Sequence, residues 1–220
     1  SHKTILIEQR IILLKPKRYD TGTSMVRKKT IVLPNGTIVH IEPLTGRENA
    51  REFQLFINTL TREGTYLLVS KHITLKEEKQ WLQTQIKEQR KGQQIYLKAF
   101  VDGRLIGDCC AKPGFGRNHG NVNLGIAIAK NLRGKGLGHL LLSELIERSE
   151  KKWHPKNIYL HVVSENKTAH HLYESLGFRV IAQLPQWFEY NKKYLDEYLL
   201  ILDKERFSKK KMNYPGAKKR

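Results

Sequence analysis

Residues 133–138 read RGKGLG and place three glycines in five positions. This segment lies between an apolar run, residues 122–128, that favours a strand and a run, residues 137–150, whose apolar spacing favours a helix. Glycines at such a junction let the backbone turn tightly, and the first N–H groups of a helix have no intrahelical acceptor. The bend therefore predicts a cradle for phosphate oxygens.

Two common phosphate-binding motifs do not fit this bend. A P-loop requires Ser or Thr after the Gly-Lys pair and a glycine five positions before the glycine of that pair, whereas this chain has Gly136 and Ala129 there. A dinucleotide fingerprint requires the spacing G-x-G-x-x-G, whereas the three glycines of the bend alternate. A purely structural turn is the alternative interpretation of the hexapeptide.

A second pattern follows about thirty residues later, in residues 166–178, NKTAHHLYESLGF. It comes after another strand-like run, residues 158–163. Its apolar residues fall at helical spacing and form one face: Ala169, Leu172, Tyr173 and Leu176. Gly177 is then expected to end the helix in a left-handed conformation.

Taken together, the two segments resemble the motifs of the GNAT superfamily of acetyl-CoA-dependent N-acetyltransferases, and in particular its protein-acetylating branch. The family pattern runs strand, Q/R-x-x-G-x-G/A, helix, strand, and then N-x-x-A-x-x-L-Y-x-x-x-G-F. The first motif is matched by Arg133, Gly136 and Gly138. The second is matched by Asn166, Ala169, Leu172, Tyr173, Gly177 and Phe178. The resemblance covers residues 37–203, and the pair of motifs is more specific than either alone.

The resemblance implies an α/β fold of the GNAT type. One mixed, mostly antiparallel sheet would be flanked by helices and splayed between the strands near residues 122–128 and 158–163. Two segments match the capping-box pattern and are expected to begin helices, Thr45–Glu48 and Thr74–Glu77.

The remaining segments suggest how the chain is divided. Strand-like runs at Ile5–Leu14 and Thr30–Leu33, before the turn Pro34–Gly36, predict an N-terminal β extension over residues 1–36. Residues 37–207 would form the acetyltransferase domain. Residues 208–220, which are basic and contain a Pro-Gly pair, are expected to form a flexible tail.

The charge of the chain is unevenly distributed. Its 40 Lys and Arg against 21 Asp and Glu give a net charge of +19. Residues 1–30 hold eight basic residues against two acidic ones, and residues 208–220 hold six basic residues and no acidic one. These basic ends favour contact with nucleic acid or a ribosome, with simple solubility as the alternative. The same charge argues against a highly cationic small acceptor, unless a local acidic pocket overrides it.

The composition of the chain limits the classes of protein to which it can belong. A chain of 220 residues with 39% hydrophobic residues suits one domain with a sizeable core, and no apolar run reaches the length of a membrane span. Cys109 and Cys110 are adjacent in an apolar stretch without paired histidines nearby, so core thiols are expected rather than zinc ligands. We expect a cytoplasmic protein that uses no metal and contacts no membrane.

Acetyl-CoA is the co-substrate that the resemblance implies. Backbone N–H groups from Gly134 to His139 would hold its pyrophosphate, and strand 122–128, bulged as in the family, would bond its pantetheine arm. Asn166 would bond the same arm or cap the helix that follows. The full set of predicted cofactor-binding residues is Ile126, Ala127, Ile128, Arg133, Gly134, Lys135, Gly136, Leu137, Gly138, His139 and Asn166.

The resemblance also implies three candidates for proton transfer. Tyr173 falls at the family position whose hydroxyl protonates the departing CoA sulfur, with a core tyrosine as the alternative. For the general base, the ribosomal-protein branch places a glutamate five residues before the motif asparagine, and here that position is His161. His161 could instead be a structural histidine. Glu63, or a base acting through water, is the alternative.

The predicted function is direct transfer of an acetyl group from acetyl-CoA to a primary amine. A protein acceptor, through its N-terminal α-amine or a lysine, is the main expectation. The alternatives are a small-molecule amine acetyltransferase and a non-catalytic protein that binds CoA or nucleic acid. Residues 190–198 resemble the last hairpin of the family, in which Tyr190 and Tyr194 would bound the acceptor groove.

Overall fold

One sheet and five helices make up residues 28–212, the part of the chain that the computed structural model describes. The elements are β1 (Lys29–Val32), β2 (Ile38–Pro43), α1 (Ala50–Arg62), α2 (Leu75–Arg90), β3 (Ile95–Val101), β4 (Arg104–Pro113), β5 (Asn121–Ile128), α3 (Leu137–Trp153), β6 (Asn157–Val163), α4 (Lys167–Leu176), β7 (Phe178–Tyr190), β8 (Lys193–Leu202) and α5 (Lys204–Met212). The strand expected at Ile5–Leu14 lies outside the described residues.

The sheet has eight strands in the order β1-β2-β3-β4-β5-β6-β8-β7. Every neighbouring pair is antiparallel except β5 and β6, which are parallel. That parallel pairing joins only Asn121–Asn123 to Asn157–Tyr159, and beyond it the two strands separate. The predicted mixed, mostly antiparallel sheet with a splay at this position is therefore confirmed.

Helices cover both faces of the sheet. The cluster on one face joins Phe53, Phe56 and Leu82, from α1 and α2, to Tyr96 of β3. The next residue of β3, Leu97, belongs to the larger cluster that contains α3 and α4, because successive side chains of a strand point to opposite faces. The centre of the larger cluster is α3, which contributes Leu141, Leu142, Leu145 and Ile146 with no exposed surface.

The two expected capping boxes have different outcomes. Thr74 is the N-cap of α2 and exchanges both hydrogen bonds with Glu77, so this prediction is confirmed. The prediction for Thr45–Glu48 is wrong, because α1 begins at Ala50 and is capped by Asn49. Glu48 accepts hydrogen bonds from the N–H groups of Thr45 (2.6 Å) and Gly46 (2.8 Å) and so closes the turn that precedes the helix.

Glu48 also forms a buried ion pair. Its Oε1 lies 3.0 Å from Nζ of Lys98, and their side chains are 1% and 6% exposed. Burial raises the pKa of Glu48, but the hydrogen bond from the backbone of Thr45 and the charge of Lys98 outweigh it and lower the pKa to about 2. A carboxylate with a lowered pKa stabilises the fold above the pH at which it titrates when unfolded.

Glu48→Gln is therefore expected to destabilise the protein by about 3 kcal/mol at pH 7, because the buried Lys98 loses its nearer carboxylate and keeps only Glu42, whose Oε2 is 4.0 Å away. The wild-type contribution should be present above pH 4.5 and be lost as the pH falls toward 2, so the variant should show a flatter stability curve over that range. Urea unfolding at several pH values measures both effects. An unchanged midpoint at pH 7 would contradict this account.

The two ends of the described chain add elements to the sheet and to the core. The predicted strand at Thr30–Leu33 is observed as β1, which pairs with β2. At the other end α5 covers Lys204–Met212, so the segment expected to be a tail from residue 208 begins as a helix. Asp203 accepts a hydrogen bond from the backbone of Arg206, and Phe207 is buried in the large cluster, which explains why this basic stretch is helical.

None of the helices in residues 28–212 is both long enough and apolar enough to cross a membrane.

Candidate functional site

A cleft of about 1290 Å³ lies where β5 and β6 separate. It is bordered by the end of α1, strands β4 and β5, the bend before α3, strand β6, the start of α4 and the β7–β8 hairpin. The predicted site residues that line it are Glu63, Ile126, Ala127, Ile128, Arg133, Gly134, Gly136, Gly138, His139, His161, Asn166 and Tyr173. The other two do not line it: Lys135 is exposed on the bend, and Leu137 is fully buried.

The glycine bend forms the anion-binding end of this cleft. Gly134 and Gly136 have φ of +72° and +87°, in the region that favours glycine. The backbone N–H groups of residues 134–138 have no hydrogen-bond acceptor within residues 28–212. They lie at the N-terminus of α3, a helix of 17 residues whose dipole adds positive potential there. Five available amides at a helix start fit the oxygens of a diphosphate.

His139 follows this cradle on the first turn of α3 and is buried. Burial and the charge of Lys210 lower the pKa of its imidazole, so the side chain is neutral at pH 7. His139 thus adds no positive charge to the bend.

The edge of β5 offers unpaired backbone groups to the same cleft. Ala129 donates to the carbonyl of Ile106, and Gly114 donates to that of Asn121, at the two ends of the β4–β5 ladder. Because hydrogen-bonded pairs alternate in an antiparallel ladder, the backbone groups of Leu124, Ile126 and Ile128 face β6. The strands are already separated there, so these groups, except the carbonyl of Ile128, which accepts from Arg133, can bond an extended ligand.

Two details of this edge differ from expectation. The β4–β5 register runs without a shift from Gly107↔Ile128 to Pro113↔Val122, so the bulge that the resemblance implied is absent. The backbone of Ala127 faces its partner Asp108 on β4, so Ala127 can contribute only its methyl group to the cleft.

Arg133 fixes the position of the bend. Its Nε donates to the carbonyl of Ile128 (2.8 Å), and its Nη2 donates to Oε2 of Glu63 (2.7 Å) at the end of α1. One side chain therefore joins β5, α1 and the bend. Glu63 is held in an ion pair with this guanidinium, which makes it a poorer candidate for the general base than His161.

Tyr173 lies on α4 at the floor of the cleft. It is 8% exposed, and its ring makes an edge contact with Phe178 at 6.0 Å between centroids. Burial raises the pKa of Tyr173 to about 12, so the phenol is protonated at neutral pH. Its hydroxyl has no hydrogen-bonding partner among the described residues. This arrangement leaves the proton available to a group in the cleft.

The other motif residues position α3 and α4. Asn166 is the N-cap of α4 and accepts a hydrogen bond from Ala169 at 3.2 Å, which is the capping role considered above. Gly138 lets the helices approach, since an added Cβ would lie 2.8 Å from Cδ2 of Leu172. Gly177 ends α4 with φ of +97°, as predicted.

A histidine and a glutamate face the cleft from neighbouring strands. His161 of β6 has its Nδ1 3.2 Å from Oε2 of Glu197 on β8. Both residues line the cleft. Glu197 was not among the predicted site residues, because it lies 36 positions after His161 and only the β6–β8 register brings the two together.

An aromatic contact lies beside the cleft. The hydroxyl of Tyr190, on β7, donates to the carbonyl of Gly64 (2.6 Å), and its ring lies 4.9 Å from that of Tyr66. These contacts join the loop after α1, whose residues Gly64 and Tyr66 line the cleft, to the β7–β8 hairpin. Tyr190 itself does not line the cleft, so its place beside the acceptor stays a prediction. Tyr194 is 61% exposed and does not line the cleft.

Within residues 28–212 no group of three or more His, Cys, Asp or Glu side chains is arranged to hold a metal ion. Cys109 is buried in the large cluster, as expected, and Cys110 is half-buried at the cleft.

The splayed sheet, the glycine bend and the tyrosine below it define an acetyltransferase fold of the GNAT type. The model of the acetyltransferase (GNAT) family matches residues 59–178, more than half of the chain. The chain belongs to this family, and the resemblance to the GNAT superfamily is confirmed.

Comparison with known proteins supports the family at the level of structure and sequence. The acetyltransferase of the GNAT family from Streptococcus pneumoniae is similar with a TM-score of 0.65 and 27% identity, over 74% of this chain and 97% of that one. N-alpha-acetyltransferase 60 of Danio rerio is 35% identical over 81 residues, 36% of this chain. Spermidine N(1)-acetyltransferase of Vibrio cholerae is 36% identical over 78 residues, also 36% of this chain. The matches span only 34% and 45% of the length of these two relatives.

Proposed function

We propose that the protein transfers an acetyl group from acetyl-CoA directly to a primary amine on a protein, either an N-terminal α-amine or a lysine. The observation that carries this proposal is the meeting, in one cleft, of a diphosphate-sized set of free amides, an unpaired strand edge and the protonated Tyr173. Family membership supports the reaction class.

The chain's residues would divide the work as follows. The amides of residues 134–138 hold the diphosphate, and the backbone of Ile126 and Ile128 orients the pantetheine arm as an added strand would be held. When bound, acetyl-CoA supplies the thioester that is attacked. An N–H of β5 that faces the splay is suited to stabilise the carbonyl oxygen as it gains charge, a contribution of roughly 3 kcal/mol for one such donor.

Two side chains would move the protons. His161 removes a proton from the acceptor amine, because its imidazole lines the cleft and imidazole is the side chain most often used as a general base. Tyr173 delivers a proton to the departing sulfur, because its raised pKa keeps it in the acid form. Glu63 has a structural role, because it pairs with Arg133, which holds the bend in position.

A protein acceptor is supported by the extent of the cleft beyond the splay. It continues over β4 and β5 to Lys112 and Asn123, and reaches Leu68 and Phe115, which are 55% and 41% exposed. Polar groups between exposed apolar side chains suit an extended peptide next to the amine. The sequence relationship to N-alpha-acetyltransferase 60 points in the same direction.

A small-amine acceptor is the second candidate, and the relationship to a spermidine N(1)-acetyltransferase is the observation that favours it. The net charge of +19 opposes a polycationic substrate. Two glutamates of the cleft, Glu63 and Glu88, are already paired with Arg133 and Lys112, which makes them poorer partners for such a substrate. Contact of the basic ends with nucleic acid or a ribosome stays a prediction.

A labelled acceptor panel tests the proposal. The protein is incubated with isotopically labelled acetyl-CoA and a set of peptides with free N-termini, peptides with blocked N-termini and a lysine, polyamines and amino acids. We expect label on a peptide amine, located by mass spectrometry, at a rate above that of any polyamine. Label on polyamines alone would establish the second candidate. The absence of label on every acceptor would contradict the proposed function.

A further inference from the structure

Glu197 carries a buried carboxylate that lies at the cleft. Glu197 is 6% exposed, and within residues 28–212 its side chain has one hydrogen-bonding partner, Nδ1 of His161. A carboxylate removed from water costs free energy unless it is paired, so the contact with the histidine is what this buried charge depends on.

The sheet register explains how the two residues meet. β6 and β8 pair His161 with Leu199 and Val163 with Glu197, which makes His161 and Glu197 diagonal neighbours on the same face of the sheet. That face lines the cleft. The side chain of His161 is 34% exposed, and its Nε2 has no partner among the described residues.

A carboxylate at Nδ1 determines what the opposite nitrogen can do. It holds the proton of the neutral imidazole on Nδ1, which leaves the lone pair of Nε2 available. It also stabilises the imidazolium that forms when Nε2 takes up a proton. Without the carboxylate, nothing at Nδ1 would select one of the two tautomers of the neutral imidazole.

Other charged groups of the cleft do not supply this effect. Its two cationic side chains, Arg133 and Lys112, are each ion-paired with a glutamate, Glu63 and Glu88. Tyr159, on the same strand, makes an edge contact with the ring of His161 at 6.0 Å. The remaining titratable side chains of the cleft are Tyr66, Cys110, His139, His171 and Tyr173.

We propose that Glu197 is the positioning residue of the acetyl-transfer site, and that it holds His161 in the tautomer that accepts the proton of the acceptor amine. In this step the N–H bond of the acceptor ammonium breaks, its proton moves to Nε2 of His161, and the electron pair stays on the nitrogen that attacks the thioester. The inference rests on the proposed function and assigns a residue to its base.

The direct test compares Glu197→Gln with Glu197→Asp and with Glu189→Gln, an exposed charge removal on the same hairpin outside the cleft. We expect Glu197→Gln to lower kcat by about 10- to 100-fold with little change in the KM for acetyl-CoA, and to move the acidic limb of the kcat/KM profile to lower pH. Glu197→Asp should restore part of the rate, and Glu189→Gln should behave as wild type.

A double variant separates this role from a structural one. If Glu197 acts through His161, the variant His161→Gln/Glu197→Gln should be no slower than His161→Gln alone. The inference would be overturned if the losses in kcat of the two single variants multiply in the double variant and the pH profile of kcat/KM does not shift in Glu197→Gln.

A measurement that does not need activity distinguishes a failure of this inference from a failure of the proposed function. The ¹⁵N chemical shifts of the His161 ring should show the Nδ1–H tautomer in wild type and a mixture of tautomers in Glu197→Gln. The same mixture in both proteins would overturn the assignment, even if acetyl transfer is demonstrated. A wild-type protein that acetylates no acceptor would instead refute the proposed function, whatever the tautomer.

Discussion

Tyr173→Phe is expected to lower kcat by about 100-fold while leaving the affinity for acetyl-CoA nearly unchanged. The phenol is buried, is held protonated by a pKa of about 12, and has no hydrogen-bonding partner among the described residues, so its removal costs the fold little. Stopped-flow or steady-state detection of the free CoA thiol measures the loss. Tyr198→Phe, a half-buried tyrosine that does not line the cleft, is the matched control.

The same substitution has a predicted effect at high pH. The pKa of Tyr173 is raised from 10 in the unfolded chain to about 12 in the fold. The contribution of the neutral phenol to the free energy of unfolding is therefore complete below pH 10 and is lost as the pH rises toward 12, so Tyr173→Phe should keep more of its stability in that range.

Unaltered turnover in Tyr173→Phe would remove Tyr173 from the mechanism.

Gly134→Ala is expected to weaken the binding of CoA and acetyl-CoA by at least about tenfold, which corresponds to about 1.4 kcal/mol. Gly134 has φ of +72°, where an alanine costs roughly 1–2 kcal/mol, and an added Cβ would meet no atom of the protein within 4 Å. The methyl group would instead strain the cradle of amides and stand beside the bound diphosphate.

Gly103→Ala controls for the backbone strain. Gly103 lies in the turn between β3 and β4, is also exposed, has φ of +73°, and leaves the same open space around an added Cβ. Both variants should lose similar free energy of unfolding, and only Gly134→Ala should lose cofactor affinity. If both substitutions weakened the binding of CoA equally, backbone strain would explain the loss of affinity, and a direct role of the bend in binding would be contradicted.

The parts of the site that depend on residues close together in the sequence are the ones that the sequence predicts best. The glycine spacing before α3 depends on local backbone geometry and correctly predicted the bend. The run from Asn166 to Gly177 likewise predicted the helix α4, its caps and the position of Tyr173 on it. The splay followed only from the family resemblance, because nothing in the two strands themselves signals where their pairing stops.

Contacts between distant residues were not predictable in this way. Arg133 and Glu63 are 70 positions apart, and His161 and Glu197 are 36 apart, so their pairing depends on the sheet register and on the position of α1. Glu48 fits a local capping pattern, but the buried charge of Lys98, 50 positions later, determines its role. Phe207 packs α5 against the large cluster, but it lies among lysines and an arginine and was therefore not recognised as a core residue from the sequence.

Titration calorimetry of the wild-type protein with CoA and with acetyl-CoA tests the central claim most directly, namely that free amides at the start of α3 hold a diphosphate. We predict saturable binding of one ligand per chain, a higher melting temperature in its presence, and a clear loss of affinity in Gly134→Ala but not in Gly103→Ala. The absence of any association with either ligand would contradict the account.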